Sequence, residues 1–329
     1  MKFSRRKVLD LVAGAAALPA VSCLARAQGY PTRPITLVVP YSAGGPADTV
    51  GRVVAERMKA SLGQPIIIEN VSGANGSIAV GRVAHAAPDG YTLSLGLWNT
   101  HVSNGALYVL PYDVLNDFEP VSLLASFSSM IVARKSMPAN DLKEFIAWLK
   151  ANPGKASQGS AGVGSMGHLG GAYFQSATGT NIQHVPYRGS APAMQDLLAG
   201  QVDMMIDAPV VILPQLRAGK IKAFAVLAES RLAQAADVPT ADEAGLPGLH
   251  VSNWFGFWVP KGTTKDIIGR LNAAAVNSLA DPTVRQKLAD LGFEIPPREQ
   301  QTPEALGAFQ KAEIDKWWPI IKAANIKGD

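Results

Sequence analysis

Ser42, Ala43, Gly44 and Asp48 stand in ITLVVPYSAGGPAD (residues 35–48), where an apolar run meets a glycine pair and then Pro46. A run of Ile35, Leu37, Val38 and Val39 suits a strand buried on both faces of a sheet. Pro46 suits a first helical turn, and Asp48 adds a carboxylate there. The chemistry this predicts is anion binding, because unpaired N–H groups at a helix start and the helix dipole both favour negative charge. The plainer alternative is that the glycines only make a tight turn. A second stretch of the same kind, residues 157–171, holds six glycines in fifteen residues and includes Gly164, Ser165 and His168.

Other chemistries find no pattern. The first loop lacks the G-x-G-x-x-G spacing of dinucleotide folds and the Gly-Lys-Ser/Thr ending of a P-loop. Ser42, Ser160 and Ser165 are preceded two residues earlier by Pro40, Gln158 and Val163, so none forms a G-x-S-x-G elbow. The five histidines show no metal-ligand spacing, and no cofactor or metal is expected.

The elements that must position these residues alternate between strand and helix. Residues 65–69 predict a second strand, 72–77 a loop before a helix, and 91–97 a third strand ending in a polar loop with Trp98, Asn99, Thr100 and His101. This alternation indicates an α/β domain with a largely parallel sheet. Residues 123–127 read as a strand passing between two domains, and 141–150 as an amphipathic helix. Then come a strand at 182–186, a loop with Tyr187 and Arg188, a helix at 191–199, a strand at 202–206 with Asp207 at its end, and a strand at 222–228. Residues 251–260 return to the first domain, and three helices close the chain. Trp317 and Trp318 on the last helix are expected to anchor packing.

The chain opens with a basic start, an alanine-rich apolar stretch and Ala25-Arg26-Ala27, which suits signal peptidase. Ser4-Arg5-Arg6-Lys7-Val8-Leu9 looks like a twin-arginine signal; an ordinary secretory signal with adjacent arginines is the alternative, and a lipidated Cys23 a further one. Cleavage after Ala27 would remove the only cysteine, leaving no thiol chemistry. It would also remove five of the chain's 30 basic residues and one of its 26 acidic ones, leaving 25 of each. The basic balance is therefore a targeting feature and gives no licence to infer a nucleic-acid partner. About 300 residues remain, enough for two domains.

Y-P-x-R-P-I at residues 30–35, V-P-Y-S-A-G-G-P-A-D at 39–48, Gly164-Ser165 with His168, V-P-Y-R-G-S-A-P-A at 185–193 and G-Q-V-D-M-M-I-D at 200–207 resemble one family. It is the extracytoplasmic solute receptors of tripartite tricarboxylate transporters, the Bug or TctC family. The resemblance implies an α/β periplasmic binding protein of the Venus-flytrap, type II-like kind, two lobes joined by crossing strands. Lobe 1 would take residues 28–126 and 249–329 and lobe 2 residues 127–248, after a 1–27 export signal. It implies a monomer in the periplasm, no catalysis, a small organic carboxylate ligand (di- or tricarboxylate, aromatic ones included), and delivery to the membrane subunits of the transporter. Carried over by position, Ser42, Ala43 and Gly44 with Gly164 and Ser165 would grip one carboxylate, partly through waters, with Asp48 capping the first helix. His168 is expected to hydrogen-bond at the start of its helix. Trp98, Asn99 and Thr100, with Tyr187, Arg188 and Asp207, would meet the distal part of the ligand. Trp98 either stacks on a flat ligand or lids the core, and Arg188 either pairs with a distal carboxylate or serves the scaffold. The family also allows a sensor passing occupancy to a membrane kinase; an enzyme acting on a carboxylate is the third class, and no nucleophile–base pattern favours it.

Overall fold

The aliphatic runs form strands, and amphipathic helices cover the sheets they make. The structure, a computed structural model, describes residues 29–323; the leader lies outside the described residues. β1 (Ile35–Val39) sits between β2 (Ile66–Asn70) and β3 (Thr92–Leu97), parallel to both. Its Ile35, Leu37, Val38 and Val39 are fully buried, as a strand covered on both faces requires. α1 (Pro46–Leu62) buries Val50, Val53, Val54 and Met58 along one stripe and ends where Gly63 turns left-handed and donates its N–H to Lys59 O. α2 (Ser77–Ala84) follows β2.

The sheet is completed by β4 (Phe118–Ser128) and β10 (Ser252–Pro260), in the order β2-β1-β3-β10-β4, with β10 antiparallel to both neighbours. α8 (Lys265–Ala280) packs on α1 and β4, α9 (Pro282–Asp290) on α1, and α10 (Pro303–Ala323) on β4. Trp317 packs edge-on against Trp98 at 5.4 Å, and Trp318 donates its indole N–H to Val102 O, so both tryptophans of α10 serve packing.

The second lobe repeats the plan. β5 (Met130–Arg134), β6 (Ser157–Ser160), β7 (Gln183–Pro186), β8 (Met204–Asp207) and β9 (Ile221–Val226) lie in the order β7-β6-β8-β5-β9. β6 is parallel to β7 and β8, whereas β5 is antiparallel to β8 and β9. α4 (Leu142–Ala151), α5 (Met166–Thr178), α6 (Ser190–Ala199) and α7 (Pro209–Arg217) cover it. The chain crosses between sheets at Ser129, whose N–H donates to Val251 O and whose carbonyl accepts from Leu227 N, so the outgoing and returning segments are tied together there.

Three expectations change. Both sheets are mixed, because the crossing strands β4, β5 and β10 enter antiparallel. Residues 157–160, read as part of a glycine loop, form β6: the strand needs small residues, since a Cβ at Gly159 would press on Val202, Ala193 and Tyr187. The loop expected at 98–101 is helical: a π-helical turn (Asn99–Ser103) runs into α3 (Asn104–Leu107), and residues 98–104 are buried.

Candidate functional site

The loop after β1 is held by a carboxylate. Asp48 accepts from the Gly44 N–H at 3.0 Å and from Arg52 Nε at 2.8 Å, while its other oxygen accepts from Asn70 Nδ2 at 3.1 Å. Burial pushes the Asp48 carboxyl up, but the hydrogen bonds from Arg52, Gly44 and Asn70 outweigh it and hold it below the ordinary range. Gly44 has φ +82°, a conformation other residues reach only with strain. The loop thus turns Gly45, Pro46 and Ala47 into the space between the lobes.

Three elements of lobe 2 face them. Gly164, at φ +76°, ends the loop from β6 to α5 and passes its N–H to His168 Nδ1 at 3.0 Å; Ser165 caps α5 by accepting from His168 N. α6 begins at Ser190 and α7 at Pro209, immediately after Asp207 on β8. The N-termini of α1 and α6 have no side-chain cap, so the N–H groups that open them, from Ala47 in α1 and from Ser190 in α6, are left for other acceptors, whereas at the start of α7 the Ala208 N–H is taken by Asp207.

The space so bounded is a cleft lined from lobe 1 by Tyr41, Gly45–Ala47, Leu97 and Asn99. Lobe 2 supplies Ala161, Ser165–Gly167, Ser190 and Asp207, and the crossing strands supply Phe127, Ser129 and Asn253. Among these described residues there is no Lys, Arg or His, and Asp207 is the only charged one. The positive potential comes instead from the helix starts. Asp207 itself is 8% exposed; Ser190 and the Ala208 N–H bond to it, yet burial pushes its carboxyl up to about 6.

A buried amide network supports the lobe 1 wall. Asn75, at φ +48°, accepts the Tyr41 hydroxyl on its Oδ1 at 2.7 Å and donates to Asn104 Oδ1 at 2.9 Å. Asn99 donates to the Tyr41 hydroxyl and to Asn75 Oδ1, and Asn104 donates to Ser77 Oγ. Every member is satisfied by another, which fixes Tyr41 and Asn99 at the cleft.

The family model of the tripartite tricarboxylate transporter family receptor matches residues 50–326. The chain belongs to this family. BugT of Bordetella pertussis is 35% identical to the receptor over 92% of each chain. MatC of Rhodopseudomonas palustris, solved with bound malate, is 42% identical with a TM-score of 0.85, covering 89% of the receptor and all of that chain. An R. palustris protein solved with adipate is 35% identical with a TM-score of 0.86, covering 91% of the receptor and 99% of that chain. Such matches establish the two-lobed periplasmic binding-protein fold.

Within the receptor, the residues singled out from sequence fall into separate places. Asn99, Ser165 and Asp207 line the cleft, and Tyr187 and Arg188 line a groove at its mouth. The Tyr187 hydroxyl is turned away to Asp196 Oδ2 at 2.7 Å. Ser42 and Gly44 lie against lobe 2: the Ser42 N–H donates to Arg188 O at 3.3 Å, and Gly44 faces Ala191. The Ser42 hydroxyl is buried there with no protein partner, while Ala43 is exposed. Gly164 lies against Leu107, Asn75 and Tyr108 of lobe 1. Asp48 clamps the loop from behind, and His168 stacks on His184 at 3.9 Å inside lobe 2.

Two of the distal candidates lie in the core. Trp98 is 3% exposed and packs there with Val102, Trp254 and Trp317, the place expected of the core-lid alternative. Thr100 is fully buried, its hydroxyl bonded to Leu97 N and paired with His101 Nδ1. Sequence reading missed Tyr41, Ser129, Ser190 and Asn253. Only Tyr41 and Ser190 carried a signal, as neighbours of the two loop motifs.

Proposed function

We propose that the chain is a periplasmic receptor that closes its lobes over a small organic carboxylate and hands it to the membrane subunits of a tripartite tricarboxylate transporter. The observation that carries this reading is a cleft built from helix N-termini, those of α1 and α6 uncapped, with no basic side chain among its described lining residues. Such a cleft offers N–H donors and a positive potential to an anion the size of one carboxylate group. Malate and adipate, bound by two relatives, are both aliphatic dicarboxylates. We therefore read the ligand as an aliphatic dicarboxylate, gripped between the loop after β1 and the starts of α5 and α6.

The same cleft supports binding without turnover. Ser129, Ser165 and Ser190 line it, but no histidine or lysine base does. Ser160 and His184, 2.6 Å apart, form a pair inside lobe 2, where Ser160 is fully buried.

The test is a thermal-shift panel of mono-, di- and tricarboxylates against the full chain purified from the periplasmic fraction and stripped of ligand by denaturation and refolding. Aliphatic dicarboxylates should raise the melting temperature. A panel with no shift, or consumption of the added acid, would overturn the reading.

A further inference from the structure

We propose that Asp207 takes up one proton from solvent when the cleft closes over a carboxylate, so that this receptor binds its ligand as a proton-coupled event. The inference rests on the carboxylate reading above and follows from what surrounds Asp207. Among the described residues it is the only charged group lining the cleft, and the ligand would bring at least one more negative charge into the same space. Two carboxylates enclosed together do not both stay ionised unless a cation sits between them.

Among the described residues no cation faces Asp207 from the elements packed on it. α6 offers the Ser190 hydroxyl, and α7 offers the Ala208 N–H. β5 pairs with it through Met130, and lobe 1 contributes Tyr41, whose phenol burial keeps neutral. Of the charged groups on these elements, Arg134 pairs with Asp203 at 2.7 Å, Asp196 accepts from Tyr187, and Arg217 stands exposed in the last turn of α7, at the end away from Asp207. His168 on α5 holds the Gly164 N–H. The helix starts supply partial positive charge, but a bound ligand carboxylate competes for it. In the empty cleft burial already raises the carboxyl to about 6, and an enclosed anion raises it further, through neutrality. The protonated oxygen then donates a hydrogen bond to the ligand instead of repelling it. The balance is one proton and one ligand bound together, and both released on opening.

The experiment is calorimetric titration of the full chain with malate and with adipate at pH 6.5, 7.5 and 8.5, in two buffers of different ionisation enthalpy. Both acids are almost wholly dianions over this range, so a proton counted on binding is taken up by the complex from solvent, and the variant assigns it to Asp207. Wild type should take up close to one proton per ligand at pH 7.5, and its affinity should fall about tenfold from pH 7.5 to 8.5. Asp207→Asn keeps an acceptor for Ser190 and Ala208 and adds a permanent donor. It should bind with no net proton uptake, an affinity flat in pH, and tighter binding than wild type at pH 8.5. Wild-type affinity that is flat in pH without proton exchange would overturn the inference while leaving the carboxylate reading standing. So would a variant that keeps the wild-type slope. If the variant does not fold, a wild-type count near zero still overturns the inference and a count near one supports it. If neither acid binds at pH 6.5, the carboxylate reading itself fails and this inference falls with it.

Discussion

Asp48 and Asp207 are both buried carboxylates, 4% and 8% exposed, and their surroundings drive them in opposite directions. Arg52 and two further donors hold Asp48 ionised, whereas Asp207 has only a hydroxyl and one N–H against its desolvation. Asp48→Ala should cost about 1–3 kcal/mol, because the Gly44 N–H and the Asn70 amide lose their acceptor. Its folded carboxyl lies below the unfolded one, so the wild-type advantage is fully present above about pH 4 and is lost as pH falls through the folded value. Urea unfolding at pH 7 and pH 3 reads this. Asp207 works the other way. Its folded carboxyl, at about 6, lies above the unfolded one, so ionising it costs stability as pH rises between the two values. Ligand-free Asp207→Asn should therefore be more stable than wild type at pH 8 by about 2–3 kcal/mol, with the difference closing below about pH 4. Equal stability at both pH values would mean that the desolvation of Asp207 is relieved in solution.

Strands β3 and β10 meet at a pair of glycines, Gly96 opposite Gly256. The missing side chains seat Trp258, which stacks on His101 at 4.0 Å; a Cβ at Gly96 would overlap both rings. His101 is fully buried there, and its imidazole is driven down to about 3, hence neutral at any physiological pH. Gly96→Ala should destabilise the protein by about 2–3 kcal/mol through overpacking, seen as a lower urea midpoint with an unchanged slope. This pairing also explains what was legible. β1 and α1 could be read because an unbroken aliphatic run meets a glycine turn and a 3.6-residue stripe, all local signals. β6 could not, since Ser157-Gln158-Gly159-Ser160 has no strand propensity and is extended only by pairing with β7 and β8. Trp98-Asn99-Thr100-His101 read as a loop because its polarity is satisfied by Tyr41, Asn75 and Gln310, residues far away in the chain. Of the site, the glycine loops announced themselves by composition. Ser129 and Asn253 did not, because they owe their place to the crossing of two strands.

The two lobes meet beyond the crossing strands in several places: Gln234 donates to Ala289 O and Pro209 faces Gly292, and two further bonds join loops beside the cleft. The Tyr108 hydroxyl, from lobe 1, donates to Val163 O of lobe 2 at 2.8 Å, and the Ser42 N–H donates to Arg188 O at 3.3 Å. Each lobe has sheet and helices of its own, so these bonds bear on closure more than on folding. A bond made only between closed lobes biases the open–closed equilibrium by its net worth, about 1 kcal/mol. Ligand that binds the closed form must supply whatever that bond no longer does. Tyr108→Phe keeps the ring and removes the donor. It should weaken dicarboxylate binding about fivefold. The loss should appear in a faster off-rate, because the bond forms after the ligand is seated. The melting temperature of the ligand-free protein should not move. Small-angle scattering at saturating ligand should still report the compact form, and at subsaturating ligand a larger open fraction than wild type. A ligand-free protein that melts lower would instead make Tyr108 part of the fold, and an unchanged off-rate would mean that the Val163 carbonyl is held as well by water.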